Sequence, residues 1–221
     1  MKISEDLNRE VVIKKGYLVI KLYGHARSGN AYKVKLLLAL MELDYDWVDV
    51  DILNGEHKQP AFLTLNPFGQ IPVLVDDETV VADAQAALVY LARRYRSRPA
   101  SLEWFPLEPV AIAEVVRWLS IATGEVRQGP ESARLYYLFK VSAINIDRAM
   151  QKAQFILQQL DRQLSEQDWL AGDQITVADV AVFPYVALAP DGKVDLTPYP
   201  QVLDWIKRIK QLPNFTGMAG I

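Results

Sequence analysis

The periodicity of the sequence changes near residue 97, and this change constrains the fold more than any other feature does. Before it, short runs rich in β-branched and aromatic residues alternate with helical periods, whereas only helical periods follow it. The segment between the two parts, SRPASLEWFPLEP (97–109), contains three prolines and is typical of a linker. We therefore predict an α/β half followed by an all-α half. The expected divisions are an N-terminal extension (1–16), an α/β domain (17–96), a linker (97–106) and a helical domain (107–221).

The first half is expected to contain seven elements in the order β-α-β-α-β-β-α. The runs YLVIKLY (17–23) and YDWVDV (45–50) predict strands, and residues 30–43 between them predict an amphipathic helix. Two strands joined by a helix run parallel, whereas the two joined by the Asp-Asp-Glu hairpin of VLVDDETVV run antiparallel. A second long helix is expected at 83–95. The pattern resembles a thioredoxin-like βαβαββα domain, in which a small mixed sheet has helices on both faces. The predicted apolar face of the first helix comprises Val34, Leu37, Leu38 and Met41.

The second half is expected to be a helical bundle. Apolar periods predict helices at 107–127, 130–164 and 199–211. A further helix is expected to begin within ITVADV, where Thr176 takes the N-cap position and Asp179 the N3 position of a capping box. We interpret this motif as structural. Loss of either side chain, through Thr176→Ala or Asp179→Ala, is expected to cost roughly 1 kcal/mol of stability.

The composition excludes several classes of function. With 24 Lys and Arg against 27 Asp and Glu, the net charge of −3 argues against nucleic acid as the main partner. The chain has no cysteine, so no disulfide, Cys-ligated metal or protein thiol can take part in its chemistry. Only His25 and His57 occur, and no metal site is expected. The polar start, MKISEDLNRE, and the lack of a long apolar run predict a cytoplasmic protein that does not enter a membrane.

Three stretches carry a resemblance to a known family: SGNAYKVKLLLAL after the first strand, NPFGQIPVLVDD in the first half, and WLAGDQITVADVAVFPYVA in the second. Through them the chain resembles the cytosolic glutathione transferase superfamily. The resemblance implies a thioredoxin-like glutathione-binding domain with a C-terminal helical bundle, and a homodimer. It also implies that glutathione is a co-substrate, whose thiolate is transferred to a small apolar electrophile.

The resemblance also points to residues that would bind glutathione. Pro72 cannot donate to a strand ladder, and the resemblance implies that the Ile71–Pro72 bond is cis. The N–H and C=O of Ile71 would then face a cleft, where glutathione could pair with them as an added strand. Three further residues could contact the ligand, namely Lys58, Gln59 and Gln70.

The start of the third helix is a second expected contact for the ligand. Asp83 begins this helix, and a helix N-terminus suits a ligand carboxylate. Asp83 could cap the helix or contact the amino group of glutathione. In the family a serine usually follows the acidic residue, and here Ala84 stands in its place. A lost hydrogen bond to a charged group costs about 1.5–3 kcal/mol, so glutathione binding could be either weakened or abolished.

The hinge SGN (28–30) before the first helix is the candidate catalytic segment. Ser28 is a favoured N-cap residue. By resemblance it is also the first candidate to donate a hydrogen bond to the glutathione thiolate, which would lower the thiol pKa and increase the reactive fraction. Asn30 is the second candidate, and Tyr23 at the end of the strand competes with both. Residues expected to line the second-substrate site are Ala26, Arg27, Arg117, Trp118, Ile121, Tyr136, Tyr137 and Phe139.

Several alternatives remain open at the level of sequence. The chain could be a non-catalytic ligand carrier or a protein-interaction member of the same fold. It could also keep glutathione but act as an isomerase, dehalogenase or peroxidase, since all of these reactions begin from the same thiolate. A thioredoxin-like disulfide oxidoreductase is not expected, because the chain has no cysteine.

Overall fold

A four-stranded mixed sheet forms the centre of the first half in the computed structural model, which describes residues 20–97 and 102–221. The strands lie in the order β2-β1-β3-β4, with β1 and β2 parallel and the other two pairs antiparallel. The predicted element order and strand directions are therefore confirmed. The expected N-terminal extension, the first residues of the predicted strand 17–23, and residues 98–101 of the linker lie outside the described residues. The strands are β1 (Ile20–Gly24), β2 (Tyr45–Asp49), β3 (Val73–Asp76) and β4 (Thr79–Val81).

Three helices cover the sheet, and five more form the second half within the described residues. The first three are α1 (Gly29–Leu40), the one-turn α2 (Pro60–Leu63) and α3 (Ala84–Arg94). The others are α4 (Pro109–Ile121), α5 (Ser132–Phe139), α6 (Ile146–Glu166), α7 (Val177–Ala187) and α8 (Pro200–Lys210). None of the described helices combines the length and the apolarity that crossing a membrane requires.

The two faces of the sheet pack against different neighbours. Ile20 and Leu22 of β1 are buried in the main core, which also contains α1, α3 and the helices of the second half. Tyr23, which points to the other face of the pleat, packs in a smaller cluster with Val50 and Phe62 beside α2. The main core therefore continues from the first half into the second. It positions the start of α1 against the helical domain.

The predicted break between helices at 127–130 is wrong. The chain runs from α4 through a π-helical segment (Ala122–Glu131) directly into α5, and Pro130 lies inside that segment. The break comes later, because Lys140 adopts a left-handed conformation with φ 59° and Asn145 caps α6 by accepting a hydrogen bond from the amide of Arg148 at 3.0 Å. A wide π-helical turn accommodates a proline, which has no N–H to contribute.

Asp179 holds together the loop before α7, the start of α7 and α8. As predicted, it completes a capping box with Thr176, whose amide donates to Oδ2 at 3.0 Å. Its Oδ1 also accepts from the amide of Leu170 and from Nε1 of Trp205, each at 3.0 Å. The carboxyl group is fully buried, and burial raises its pKa to about 6. The capping motif is thus also a tertiary connection between separate elements.

We expect Asp179→Ala to destabilise the protein much more than Thr176→Ala does. The first change leaves buried donors of Leu170, Thr176 and Trp205 unpaired and should lower the free energy of unfolding by about 3 kcal/mol or more. The second loses one cap bond and should cost about 1 kcal/mol. Urea unfolding measures both values. Asp195→Ala is the control, because this carboxylate is exposed and, among the described residues, accepts hydrogen bonds from nearby Thr197 alone. Equal losses for the two α7 variants would contradict the tertiary role of Asp179.

Candidate active site

A cleft of about 230 Å³ lies between the two halves, where the first turns of α1 and α3 face the π-helical segment. Six of the residues predicted to bind or activate glutathione contribute to its walls: Asn30, Gln70, Ile71, Pro72, Asp83 and Ala84. Seven residues that the sequence reasoning did not select also line it: Lys33, Ala82, Gln85, Ala122, Thr123, Arg127 and Glu131. Most of these side chains are polar or charged. The cleft is therefore a polar site shared by both halves.

The first half contributes main-chain groups to the cleft. The Ile71–Pro72 peptide bond is cis, as the resemblance implied. Neither the amide nor the carbonyl of Ile71 forms a hydrogen bond with another described residue. Asp83 caps α3 through Oδ1, which accepts from the amide of Ala86 at 2.8 Å, and its second oxygen has no such role. Unpaired main-chain groups and one carboxylate oxygen thus lie along one wall.

Ser28 and Asn30, in the hinge before α1, differ in their contacts and in their position relative to the cleft. The Oγ atom of Ser28 accepts from the amide of Ala31 at 3.2 Å, which is the expected N-cap bond. This bond uses a lone pair of the oxygen, so the hydroxyl proton stays available for donation. Asn30 lies in the wall of the cleft, whereas Ser28 is not among the residues that line it. The capping role of Ser28 does not prevent it from acting as a donor.

The remaining predicted ligand contacts lie outside the cleft. Tyr23 packs on the opposite face of the sheet, and burial raises the pKa of its hydroxyl. The Nζ atom of Lys58 donates to the carbonyls of Phe68 and Gly69, at 3.1 Å and 2.7 Å, and so supports the loop before Gln70. Gln59 is exposed at the start of α2 and makes no side-chain cap bond there.

The predicted second-substrate wall does not form as expected. Arg117, Trp118 and Ile121 line a separate groove, whose other wall is formed by residues of α6 such as Phe155 and Gln159. The ring of Phe139 lies 4.6 Å from the guanidinium carbon of Arg27 and 5.3 Å from that of Arg134. None of Ala26, Arg27, Tyr136, Tyr137 and Phe139 borders the cleft. Helical spacing identified apolar faces but not which neighbour each face meets.

Contacts from the second half fix the position of the hinge. Arg134 donates to the carbonyl of Arg27 at 3.1 Å and forms an ion pair with Asp191 at 3.0 Å. Gly29 begins α1 against the ring of Tyr185, and a Cβ atom there would lie only 2.7 Å from Cζ of that ring. A larger residue at position 29 would therefore push the hinge away from α7. The site depends on packing between the halves.

Lys33 is the most unusual residue of the cleft, because its side chain is almost completely buried. Its Nζ atom donates to Oδ1 of Asn30 at 2.8 Å. Burial lowers the lysine pKa to about 8, although the carboxylates of Glu131 and Asp83 oppose this shift. Burial also raises the pKa of Glu131, against the charges of Lys33 and Arg127 and a hydrogen bond from Tyr185. The sequence analysis did not select Lys33, although the two lysines that interrupt the apolar run of α1, Lys33 and Lys35, were a signal that could have found it.

Among the described residues, no group of three or more His, Asp or Glu side chains is arranged to hold a metal ion.

Two family descriptions match the chain. Residues 18–93 match "Glutathione S-transferase, N-terminal domain", and residues 128–213 match "Glutathione S-transferase, C-terminal domain". The chain belongs to the glutathione S-transferase family. The solved glutathione S-transferase of Pseudomonas fluorescens superposes with a TM-score of 0.83 at 31% identity, covering 90% of this chain and 98% of that one. A glutathione transferase homologue from Drosophila mojavensis, solved with bound glutathione, gives 0.79 at 28% identity, covering 89% and 90%.

Relatives with different named activities match over most of their length. Glutathione S-transferase 3 of Zea mays is 32% identical, covering 89% of this chain and 91% of the relative. Disulfide-bond oxidoreductase YfcG of Escherichia coli is 29% identical, covering 91% and 94%. Maleylacetoacetate isomerase of Pseudomonas aeruginosa is 31% identical, covering 83% and 87%. The three relatives match the same chain over most of their length, but their names describe different reactions.

The buried lysine gives a testable dependence of stability on pH. The pKa of Lys33 is about 8 in the folded chain against an ordinary 10.5, so between these values the unfolded chain holds a proton that the folded chain has lost. The free energy of unfolding should therefore rise with pH across this window, by ~3 kcal/mol relative to Lys33→Met. Urea unfolding across the window measures the difference. Lys35→Met, at a partly buried lysine near Trp47, keeps Lys33 and should therefore follow the wild-type curve. Parallel curves for wild type and Lys33→Met would contradict the assignment.

Proposed function

We propose that this protein binds glutathione in the cleft and stabilises its thiolate at the hinge, for transfer to a small electrophile. The observation that carries the proposal is the position of Asn30 in the cleft wall, together with the unpaired main chain of Ile71. The family membership supports glutathione as the ligand, since a relative of the same fold was solved with it bound. The named activity of the maize relative supports transfer as the reaction.

The γ-glutamyl and cysteinyl parts of glutathione would each have a complementary group in the cleft. The extended peptide would pair with the N–H and C=O of Ile71 as an added strand. Its γ-glutamyl carboxylate would meet the first amides of α3, and its ammonium the free oxygen of Asp83. Ala84 offers no hydroxyl, so the carboxylate would depend on main-chain donors alone. This arrangement puts the thiol near the hinge before α1.

The hinge would act on the protonation of the thiol. A thiol near neutral pH is mostly protonated, and hydrogen bonds to the thiolate lower its pKa. Asn30 and Ser28 supply one amide and one hydroxyl donor, and the N-terminus of α1 adds its positive end. The thiol proton passes to water. The sulfur then bonds to the electrophilic carbon while the leaving group departs with its electron pair.

A second candidate is glutathione-dependent reduction of a disulfide. The lack of protein cysteine does not exclude it, because the thiolate of bound glutathione can itself attack a disulfide sulfur. The substrate S–S bond then breaks as a mixed disulfide forms, and one product thiolate leaves. A second glutathione thiolate resolves the mixed disulfide into oxidised glutathione and the other product thiol. The polar cleft walls and the relative YfcG favour this candidate over an apolar electrophile.

The first test is calorimetric titration with glutathione, followed by the ultraviolet absorbance of the thiolate against pH in the complex. We expect binding with a thiol pKa below that of free glutathione. Removing one hydrogen bond to the thiolate through Asn30→Ala should raise that pKa by about one to two units. Ser28→Ala should raise it less, because Ser28 does not line the cleft. Thr176→Ala is the matched control, since it removes an N-cap far from the cleft.

The outcomes separate the proposed activity from its alternatives. A lowered thiol pKa with conjugation of chlorodinitrobenzene supports transfer, and reduction of hydroxyethyl disulfide supports the second candidate. Binding without turnover of either probe would instead indicate a carrier. No binding of glutathione would mean that main-chain donors do not compensate for the hydroxyl that Ala84 lacks, and the proposal would fail. An unchanged thiol pKa in both hinge variants would remove the hinge from the mechanism.

A further inference from the structure

The buried Lys33 limits how the amide of Asn30 can be oriented. Lysine nitrogen is the donor in the 2.8 Å contact, so the Asn30 atom that faces it must be the carbonyl oxygen. The amide is planar and carries its NH₂ group on the other side of its carbon. No described residue accepts a hydrogen bond from that NH₂ group. Asn30 therefore presents two free N–H donors away from Lys33, in the wall of the cleft.

The surroundings of Lys33 favour this single contact. Glu131 faces it from the π-helical segment and Asp83 from the start of α3, but neither carboxylate lies within 4.0 Å of Nζ. Arg127 adds a positive charge from the same segment as Glu131, and the ring centroid of Tyr185 lies 5.1 Å from Nζ. Asn30 is thus the one side chain among the described residues that accepts a hydrogen bond from Lys33.

We propose that Lys33 is a positioning residue, which holds the Asn30 amide with its NH₂ group directed at the sulfur of bound glutathione. The inference rests on the proposed function. It gives a role to Lys33, a buried cation that folding alone does not require. Without Lys33, the amide could turn and present its oxygen to the sulfur. An oxygen there would repel the thiolate, whereas an N–H group stabilises it.

The test is a double-mutant cycle between Asn30 and Lys33, with the thiol pKa of the glutathione complex as the readout. Lys33→Met removes the donor at similar length and should fold, because it also removes the cost of burying a cation. We expect Lys33→Met to raise the thiol pKa by about one unit or more, and Asn30→Ala to raise it at least as much. The double variant should be no higher than Asn30→Ala alone, because Lys33 acts through Asn30. Lys35→Met is the control and should leave the thiol pKa unchanged.

A second variant tests the orientation with Lys33 still in place. Asn30→Asp keeps an acceptor for Lys33 and replaces the NH₂ group with an oxygen of similar size. We expect it to raise the thiol pKa more than Asn30→Ala does. An effect of Asn30→Asp close to zero would mean that the amide already presents its oxygen to the sulfur, and the proposal would be wrong. This variant remains informative if Lys33→Met does not fold.

The failure of this proposal can be distinguished from the failure of the proposed function. If the wild-type complex shows no lowered thiol pKa, the proposed function fails first. If Asn30→Ala raises the pKa but Lys33→Met does not, glutathione activation stands and Lys33 has only a structural role. If Lys33→Met raises the pKa equally with and without Asn30, the lysine acts through its charge alone. Either of the last two results overturns the positioning role.

Discussion

The burial of α1 on nearly every side is the constraint on which the rest of the structure depends. Nine of its twelve residues are buried, because the helix lies between the sheet on one side and α7 of the second half on the other. A helix that is apolar all round belongs in a core, and here that core joins both halves. The same position brings the first turn of α1 to the cleft. A polar side chain on this helix therefore has few possible hydrogen-bond partners. The Nζ atom of Lys33 donates to Asn30, which lies in the same first turn.

This two-sided burial also marks the limit of the sequence reasoning. The element order and the strand directions follow from local signals, because turns, hairpins and caps are local features, whereas the cis bond before Pro72 was implied only by the family resemblance. An amphipathic reading of α1 with one apolar face was incomplete, since Leu36 and Leu40 are buried as well. The hydrophobic periodicity of α1 alone does not indicate that a second domain will cover its opposite face. Lys33 was overlooked for the same reason, because an exposed face would have accommodated it.

The helical half was harder to predict because its boundaries depend on tertiary packing. Pro130 looks like a break in a helix, yet the chain passes it in a π-helical segment that packs closely on α6, where Gly129 approaches the backbone of Ala153. This segment then supplies Thr123, Arg127 and Glu131 to the cleft. The aromatic residues chosen for the second substrate face other helices. Spacing shows which residues share a face of a helix, but the contacts between helices determine what that face meets.

The choice among reactions therefore depends on the wall that the helical half contributes. Conjugation, disulfide reduction and isomerisation all need a glutathione thiolate, so the hinge and Ile71 would serve each of them equally. What differs is the second reactant, and the wall of the cleft opposite the proposed glutathione contacts is the π-helical segment. There Arg127 and Thr123 are exposed, whereas Glu131 is buried with its pKa raised. A guanidinium and a hydroxyl at the opening favour a reactant with polar or acidic groups over a purely apolar one. The specificity of this protein is thus expected to be determined by its helical half, and its thiol chemistry by its thioredoxin-like half.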